Sequence, residues 1–229
     1  MDDKTKIADA TYPDDISGLK LDTSKKYTMQ ELYLHEAKNI TKATLKYLYL
    51  KPSKKLAPFD YSWFLQLHSD MFGDVWKWAG KTRQVELSIG IKAYLVSTEL
   101  KKLVDDFLYW DKNKVFSTVE IASRLHHRAV QIHPFLNGNG RWSRMLANIY
   151  LKQNNLEPTK WNENLLAKDN EHRTDYINAL KKADNGDYTD LINLQSNINK
   201  VKNTIDTSFK ELELVNNGKL KTIPMDDTE

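Results

Sequence analysis

The stretch HPFLNGNGRWSR, residues 133–144, decides the reading of this chain. Two of the 8 glycines in 229 residues fall within it, at Gly138 and Gly140, with a histidine ahead of them and two arginines behind. Glycine takes left-handed backbone angles without steric cost and lets a ligand approach the main chain, and asparagine tolerates the same region better than most residues. The string therefore predicts a shaped loop. Main-chain N–H groups gathered at a helix start make an anion site, to which the helix dipole adds about half a positive charge. Gly138, Asn139 and Gly140 supply that turn. Arg141 and Arg144 follow three residues apart, where the dipole disfavours a basic pair unless a multiply charged anion arrives between them. His133 closes the preceding helix, and histidine is the side chain best suited to proton transfer near neutral pH. The Asn137 carbonyl oxygen is a candidate Mg²⁺ ligand, and Phe135 is read as an inward anchor. A bare Gly-Asn-Gly would be an ordinary interhelical turn. An incidental turn requires neither the histidine nor the two arginines.

Working outward, both flanks of the loop are helical. STVEIASRLHHRAVQIH carries Ala122, Leu125, Ala129 and Ile132 on one face, with Ser117 or Thr118 as cap, and RWSRMLANIYLKQNN carries Trp142, Met145, Leu146 and Ile149. Further upstream, a helix starts near Thr28 with an apolar stripe through Leu32, Ala37, Ile40, Thr44, Leu45 and Leu48. Asp60 caps YSWFLQLHSDMF, whose apolar side includes Phe64, Leu67, Met71 and Phe72, and Gly73 stops it. Helical period returns in STELKKLVDDFLYWDK. Between Thr82 and Ile91 it is lost, and Val85, Ile89 and Ile91 with Gly90 as turn point predict a short hairpin or extended flap. Helices are expected again over 161–167 and from about Asn170 to Ala183, with Asn185-Gly186 as a break. The chain divides into an N-terminal arm and helix over 1–59, a core over 60–195, and a C-terminal helix and tail over 196–229. The fold class is all-α.

Composition excludes several classes. Lys plus Arg is 34 against 31 acidic residues, a formal +3 with no basic stripe, so direct nucleic-acid binding is not expected. No cysteine is present, which removes disulfides, thiolate metal sites and cysteine redox chemistry and suits a reducing compartment. No signal-peptide pattern and no run of about 20 apolar residues occurs, so the expected setting is cytoplasmic, without a membrane. His126 and His127 are adjacent and point about 100° apart on a helix, so they read as surface or packing residues rather than a metal pair. His35, His68 and His172 are isolated.

The string resembles the core motif of Fic-domain proteins, usually His-x-Phe-x-Asp/Glu-Gly-Asn-Gly-Arg-x-x-Arg, and departs from it only at Asn137, where the family normally has a carboxylate. FLQLHSDMFGDVWKWAGKTR resembles the helix ahead of that family's target-docking flap. The resemblance implies a mostly helical Fic fold that transfers AMP from ATP, with Mg²⁺, to a Ser, Thr or Tyr hydroxyl of a target protein. His133 would be the general base, Gly138, Asn139 and Gly140 would hold phosphates, and Arg141 and Arg144 would steady the outgoing charge. Arg83, Val85, Ser88, Ile89 and Gly90 would form the flap on which a target segment adds through main-chain hydrogen bonds. Asn137 in the metal position makes a neutral, weaker ligand for a hard dication, which leaves open transfer of another phosphate-containing group or a silent nucleotide-binding or partner-binding module.

The resemblance also implies restraint, either by an antitoxin chain, as in a bacterial toxin–antitoxin pair, or by a Ser/Thr-x-x-x-Glu-Gly/Asn glutamate that reaches the second motif arginine. Thr207 and Glu211 have that spacing on a C-terminal helix, although Leu212 follows. Thr159 to Glu163-Asn164 fits the pattern fully but comes soon after the core, where a threonine and a glutamate are expected to make a local helix cap.

Overall fold

The computed structural model describes residues 18–22, 24–166 and 169–196, so the arm over 1–17 and the candidate pair Thr207 and Glu211 lie outside the described residues. Helix α1, Met29–Leu48, opens on a reciprocal cap: the Glu31 N–H donates to the Thr28 hydroxyl and the Thr28 N–H to the Glu31 carboxylate. Its buried row is Leu32, Glu36, Asn39, Ala43 and Tyr47. That face is rotated from the expected apolar stripe, and Leu45 is exposed. The rotation has a cause in two polar residues that find partners inside: the Asn39 amide donates to the Asp70 carbonyl at 2.8 Å and accepts from the Asp74 N–H at 2.8 Å, and the Glu36 carboxylate accepts from the Trp76 indole and from Arg141.

Helix α2, Tyr61–Phe72, is capped by Asp60, which accepts from the Trp63 N–H at 2.7 Å, and it buries Phe64, Leu67, Met71 and Phe72 as expected. A 3-10 turn, Ala93–Leu95, leads into α3, Val96–Asn113. Ser117 caps α4, Thr118–Ile132, and α5 runs Asn139–Gln153. Helices α4 and α5 pack along each other, with α1 and α2 against α5 and α3 against α4. Between them Phe59 stacks on Phe107 at 4.8 Å and tilts against Trp63 at 4.6 Å, and the Trp142 indole donates to the Phe64 carbonyl. The short α6, Glu163–Leu166, and then α7, Glu171–Asp184, and α8, Thr189–Ser196, follow. A small second core of Ala179, Ala183 and Leu191 joins α7 to α8, and α8 rests on α4.

The fold is helical as expected, with one correction. Residues 83–91 hold no strand, so the hairpin is absent. The carbonyls of Val85 and Ile91, which a hairpin would give to cross-strand N–H groups, accept from the Arg83 guanidinium instead. Val85, Ser88 and Ile89 are exposed on the resulting irregular excursion, while the Arg83 side chain is buried.

Two histidines tie these layers together and are fully enclosed. His68 in α2 accepts from the Gly80 N–H through Nδ1 at 2.9 Å, so its Nε2–H donates to the Asn137 carbonyl at 3.0 Å. His126 in α4 meets the Tyr176 hydroxyl at 2.9 Å and lies 3.4 Å from the Gln195 amide oxygen. His126 and His127 are therefore packing residues, not surface ones. Burial, above all, lowers the pKa of both His68 and His126 from 6.5 to about 3. Below pH 6.5 the unfolded chain takes up protons that these sites refuse, so their stability is present above that pH and is lost as pH falls toward 3. Each site should lose about 2 kcal/mol near pH 5. Urea midpoints are expected to fall between about pH 7 and about pH 5, with a smaller fall in His126→Gln; a midpoint flat over that range would contradict neutral burial.

Candidate functional site

The loop between α4 and α5 is closed from inside. The Asn139 side chain accepts from the Phe135 N–H and donates to the Phe135 carbonyl, both at 2.8 Å, which fastens the first residue of α5 to the start of the turn. Phe135 points inward as expected and stacks on the His68 ring, 3.6 Å between centroids. His68 thus holds the loop twice, by its stack on Phe135 and by its bond to the Asn137 carbonyl. Sequence reasoning had set His68 aside as isolated. Its partners lie up to 69 residues away, so no local spacing announces them.

Gly138 precedes α5 with φ +78, the left-handed angle expected of it. The first intrahelical bond runs from the Trp142 N–H to the Gly138 carbonyl, so the Asn139, Gly140 and Arg141 N–H groups have no partner within the helix. That end of α5 is where an anion is expected from the sequence. Gly138 is also constrained from the far side: a Cβ there would come within 2.6 Å of the Phe72 ring. Asn139 contributes through its main chain, because its side chain is engaged with Phe135.

His133 caps the C-terminus of α4 in the left-handed region, φ 52 and ψ 62, and is buried at 9% exposure. Its carbonyl accepts from Arg83 Nε at 2.7 Å, and the Arg83 N–H donates to the Pro134 carbonyl at 2.9 Å. Gly90 returns against it, where a Cβ would lie 2.5 Å from the His133 Cβ.

The two arginines are held by carboxylates on opposite sides. Arg141 donates to Glu36 at 2.7 Å and lies over the Phe72 ring at 4.7 Å. Glu36 is fully buried on α1, and its other oxygen accepts from the Trp76 indole at 2.6 Å. Arg144, also buried, gives both Nε and Nη2 to Glu163, the first of these bonds at 2.9 Å, and lies 3.5 Å from the Tyr176 hydroxyl. Burial alone would lower its pKa, but Glu163 and Tyr176 more than offset this and hold the guanidinium above its ordinary value. Glu163 is no local cap. It is half-exposed at 47% and reaches Arg144 from the solvent side, while Thr159 is buried and bonds to Asn148 and Gln195. Glu36 was missed, although a glutamate sharing a helix face with Leu32, Ala43 and Tyr47 is a readable signal.

The Asn137 amide oxygen accepts from the Gly138 N–H at 2.6 Å and the residue is buried, and the described residues gather no group of three or more acidic, cysteine or histidine side chains that could cage a metal, so an ion here would take most of its oxygens from substrate phosphates and water.

Residues 58–151 match the model of the Fic/DOC family. The chain is 30% identical over 127 residues to a protein named protein adenylyltransferase Fic from Drosophila grimshawi, over 54% of this chain and 25% of that protein. It therefore spans about a quarter of the length of that curated relative. Among solved structures, Fic-1 (residues 134–508) of C. elegans superposes with TM-score 0.55 at 24% identity over 76% of this chain and 50% of that one. BepC, a VirB-translocated effector of Bartonella tribocorum with bound AMPPNP, gives TM-score 0.55 at 18% identity over 75% and 87%. These likenesses confirm the fold. Among the described residues, no helix is long and apolar enough to cross a membrane.

Gly138→Ala should destabilise the protein by about 1–3 kcal/mol through positive φ alone and further through the Phe72 ring. Gly186→Ala, with φ +87 but nothing within 4 Å of a Cβ, provides the strain-only control. Urea unfolding should place Gly138→Ala clearly below Gly186→Ala; equal losses would mean that the loop does not press on α2.

Proposed function

We propose that this chain, whose residues 58–151 match the Fic/DOC family model, transfers AMP from ATP to a Ser, Thr or Tyr hydroxyl of a target protein. The observation that carries the proposal is the single turn from His133 to Arg144, which joins a histidine at one helix end to the free N–H end and arginines of the next. The name of the Drosophila relative and the AMPPNP bound in the Bartonella structure support adenine nucleotide as the donor.

In this reaction the target oxygen forms a bond to the α-phosphorus, the bond from that phosphorus to the α,β-bridging oxygen breaks, and pyrophosphate leaves. His133 accepts the hydroxyl proton. The N–H groups of Asn139, Gly140 and Arg141 take the phosphate oxygens, and the arginines stabilise the departing charge, so the protein contributes position and electrostatics. Mg²⁺ would enter as the counter-ion of ATP, held by its phosphates and water. The target segment would lie along the exposed residues Val85, Ser88 and Ile89, which place its hydroxyl on the His133 side of the loop.

Arg144 is not free to meet a polyphosphate while Glu163 grips it. In this reading Glu163 acts as an internal restraint of the site, holding the arginine that the phosphates would otherwise engage. A second reading, transfer of another phosphate-containing group in a bacterial cytoplasm, is favoured by the engaged Asn137 amide.

Intact-protein mass spectrometry after incubation with ATP and Mg²⁺ tests both proposals. Glu163→Gln should bind ATP roughly tenfold or more tightly than the native chain, because a charged bidentate partner no longer competes, and should gain AMP faster. His133→Ala should gain none. If Glu163→Gln binds and reacts like the native chain, the restraint is elsewhere; if neither form gains AMP and GTP, UTP or CDP-choline gives a product, the donor is wrong.

A further inference from the structure

One buried cation near the site is used by neither the phosphate loop nor the restraint. Arg83 is 2% exposed, and the hydrogen bonds of its guanidinium go to carbonyl oxygens rather than to a carboxylate. Nε donates to His133 at 2.7 Å, Nη1 to Val85 at 2.9 Å, and Nη2 to Ile91, with Ile132 at 3.5 Å. Ile132 and His133 are the last carbonyls of α4, which lack donors within the helix and carry its negative dipole end. Val85 and Ile91 are the neck of the excursion that holds the exposed Val85, Ser88 and Ile89. One planar fork thus ties the neck of the flap to the peptide that carries His133.

Two further contacts fix the same junction. The Arg83 main chain donates to Pro134, so consecutive carbonyls, at 133 and 134, are held by one residue. Gly90, φ +98, closes the flap directly on His133; a Cβ there would meet the His133 Cβ at 2.5 Å and Arg83 Nη2 at 2.9 Å. His133 sits at positive φ without being glycine, a conformation that persists only where its surroundings impose it.

We propose that Arg83 is a positioning residue for the transfer reaction, fixing His133 and the flap as one unit so that a hydroxyl docked along the flap arrives in register with the imidazole. This rests on the adenylyltransferase reading for its kinetic consequence but not for its structural one. The Arg83 guanidinium is taken up by carbonyls of the chain, so its loss is expected to act on turnover rather than on ATP affinity. Lysine keeps the charge but replaces the fork with a single point and cannot span four carbonyls.

The test uses Arg83→Lys and Arg83→Ala in the Glu163→Gln background. With ATP, kcat should fall about 10- to 100-fold in both while KM for ATP stays within about twofold, since a misplacement on the order of 1 Å costs that much. Millimolar guanidinium should restore part of the Arg83→Ala activity. Independently of activity, the His133 imidazole resonances in a ¹H–¹³C spectrum should move in both variants while those of His35 and His172 stay. Wild-type kcat with unmoved His133 resonances overturns the proposal. So does an equal loss of kcat and ATP affinity with all histidine resonances shifted, which marks a merely structural residue. If Arg83→Ala fails to fold, Arg83→Lys decides. If no chain transfers AMP, the adenylyltransferase reading fails while the His133 resonances still decide the positioning claim.

Discussion

Everything at the site depends on a largely buried loop whose N–H end is held from behind by side chains. The Asn139 side chain closes it on Phe135 with two hydrogen bonds, and the His68 ring supports Phe135 and holds the Asn137 carbonyl. A loop whose N–H groups face a ligand cannot use those groups to hold itself together, so the holding has to come from side chains beneath. This explains why His68 is neutral. A proton on Nδ1 would lose the bond from Gly80 and place an uncompensated charge in the interior.

The same logic governs the charges. Arg141, Arg144 and Glu36 lie where an isolated charge would be costly, and each has an opposite charge within hydrogen-bond reach. The two pairs are not equivalent. Glu36 is enclosed on α1 and shared with the Trp76 indole, so breaking its pair would strand a buried carboxylate. Glu163 is half in water and could return to solvent, whereas Arg144 is buried and would need another anion in its place. The first pair is architecture and the second is exchangeable.

Most of the helical frame could be read from the sequence, because α2, α4 and α5 bury apolar residues at helical spacing, the first two behind Asp60 and Ser117 caps and the third behind the left-handed Gly138. The loop could also be read, since the left-handed Gly138 and the N–H end of α5 are local features, although the partners of His133, Arg141 and Arg144 are not. The face of α1 could not, because its period is completed by Glu36 and Asn39, polar residues whose partners Arg141 and Asp70 lie far along the chain. The flap failed for a related reason. Alternating Val85, Ile89 and Ile91 suit a strand, but a guanidinium took the carbonyls that a strand would need. Glu163 carried a visible pattern, yet helical spacing alone favoured a cap, and only the approach of α6 to α5 distinguishes the two.

The carboxylates that hold the motif arginines both come from outside residues 58–151, one from ahead of that segment and one from behind it. The segment that matches the family supplies the cations, and the flanking helices decide what those cations face. A loop of this sequence grafted into another helical frame would keep its N–H end and its left-handed glycine, since those are local. It would not keep the orientation of Arg141, which depends on a carboxylate locked beneath Trp76, nor the occupancy of Arg144, which depends on an exposed one. The turn supplies the N–H end, and α1 and α6 decide what its arginines face.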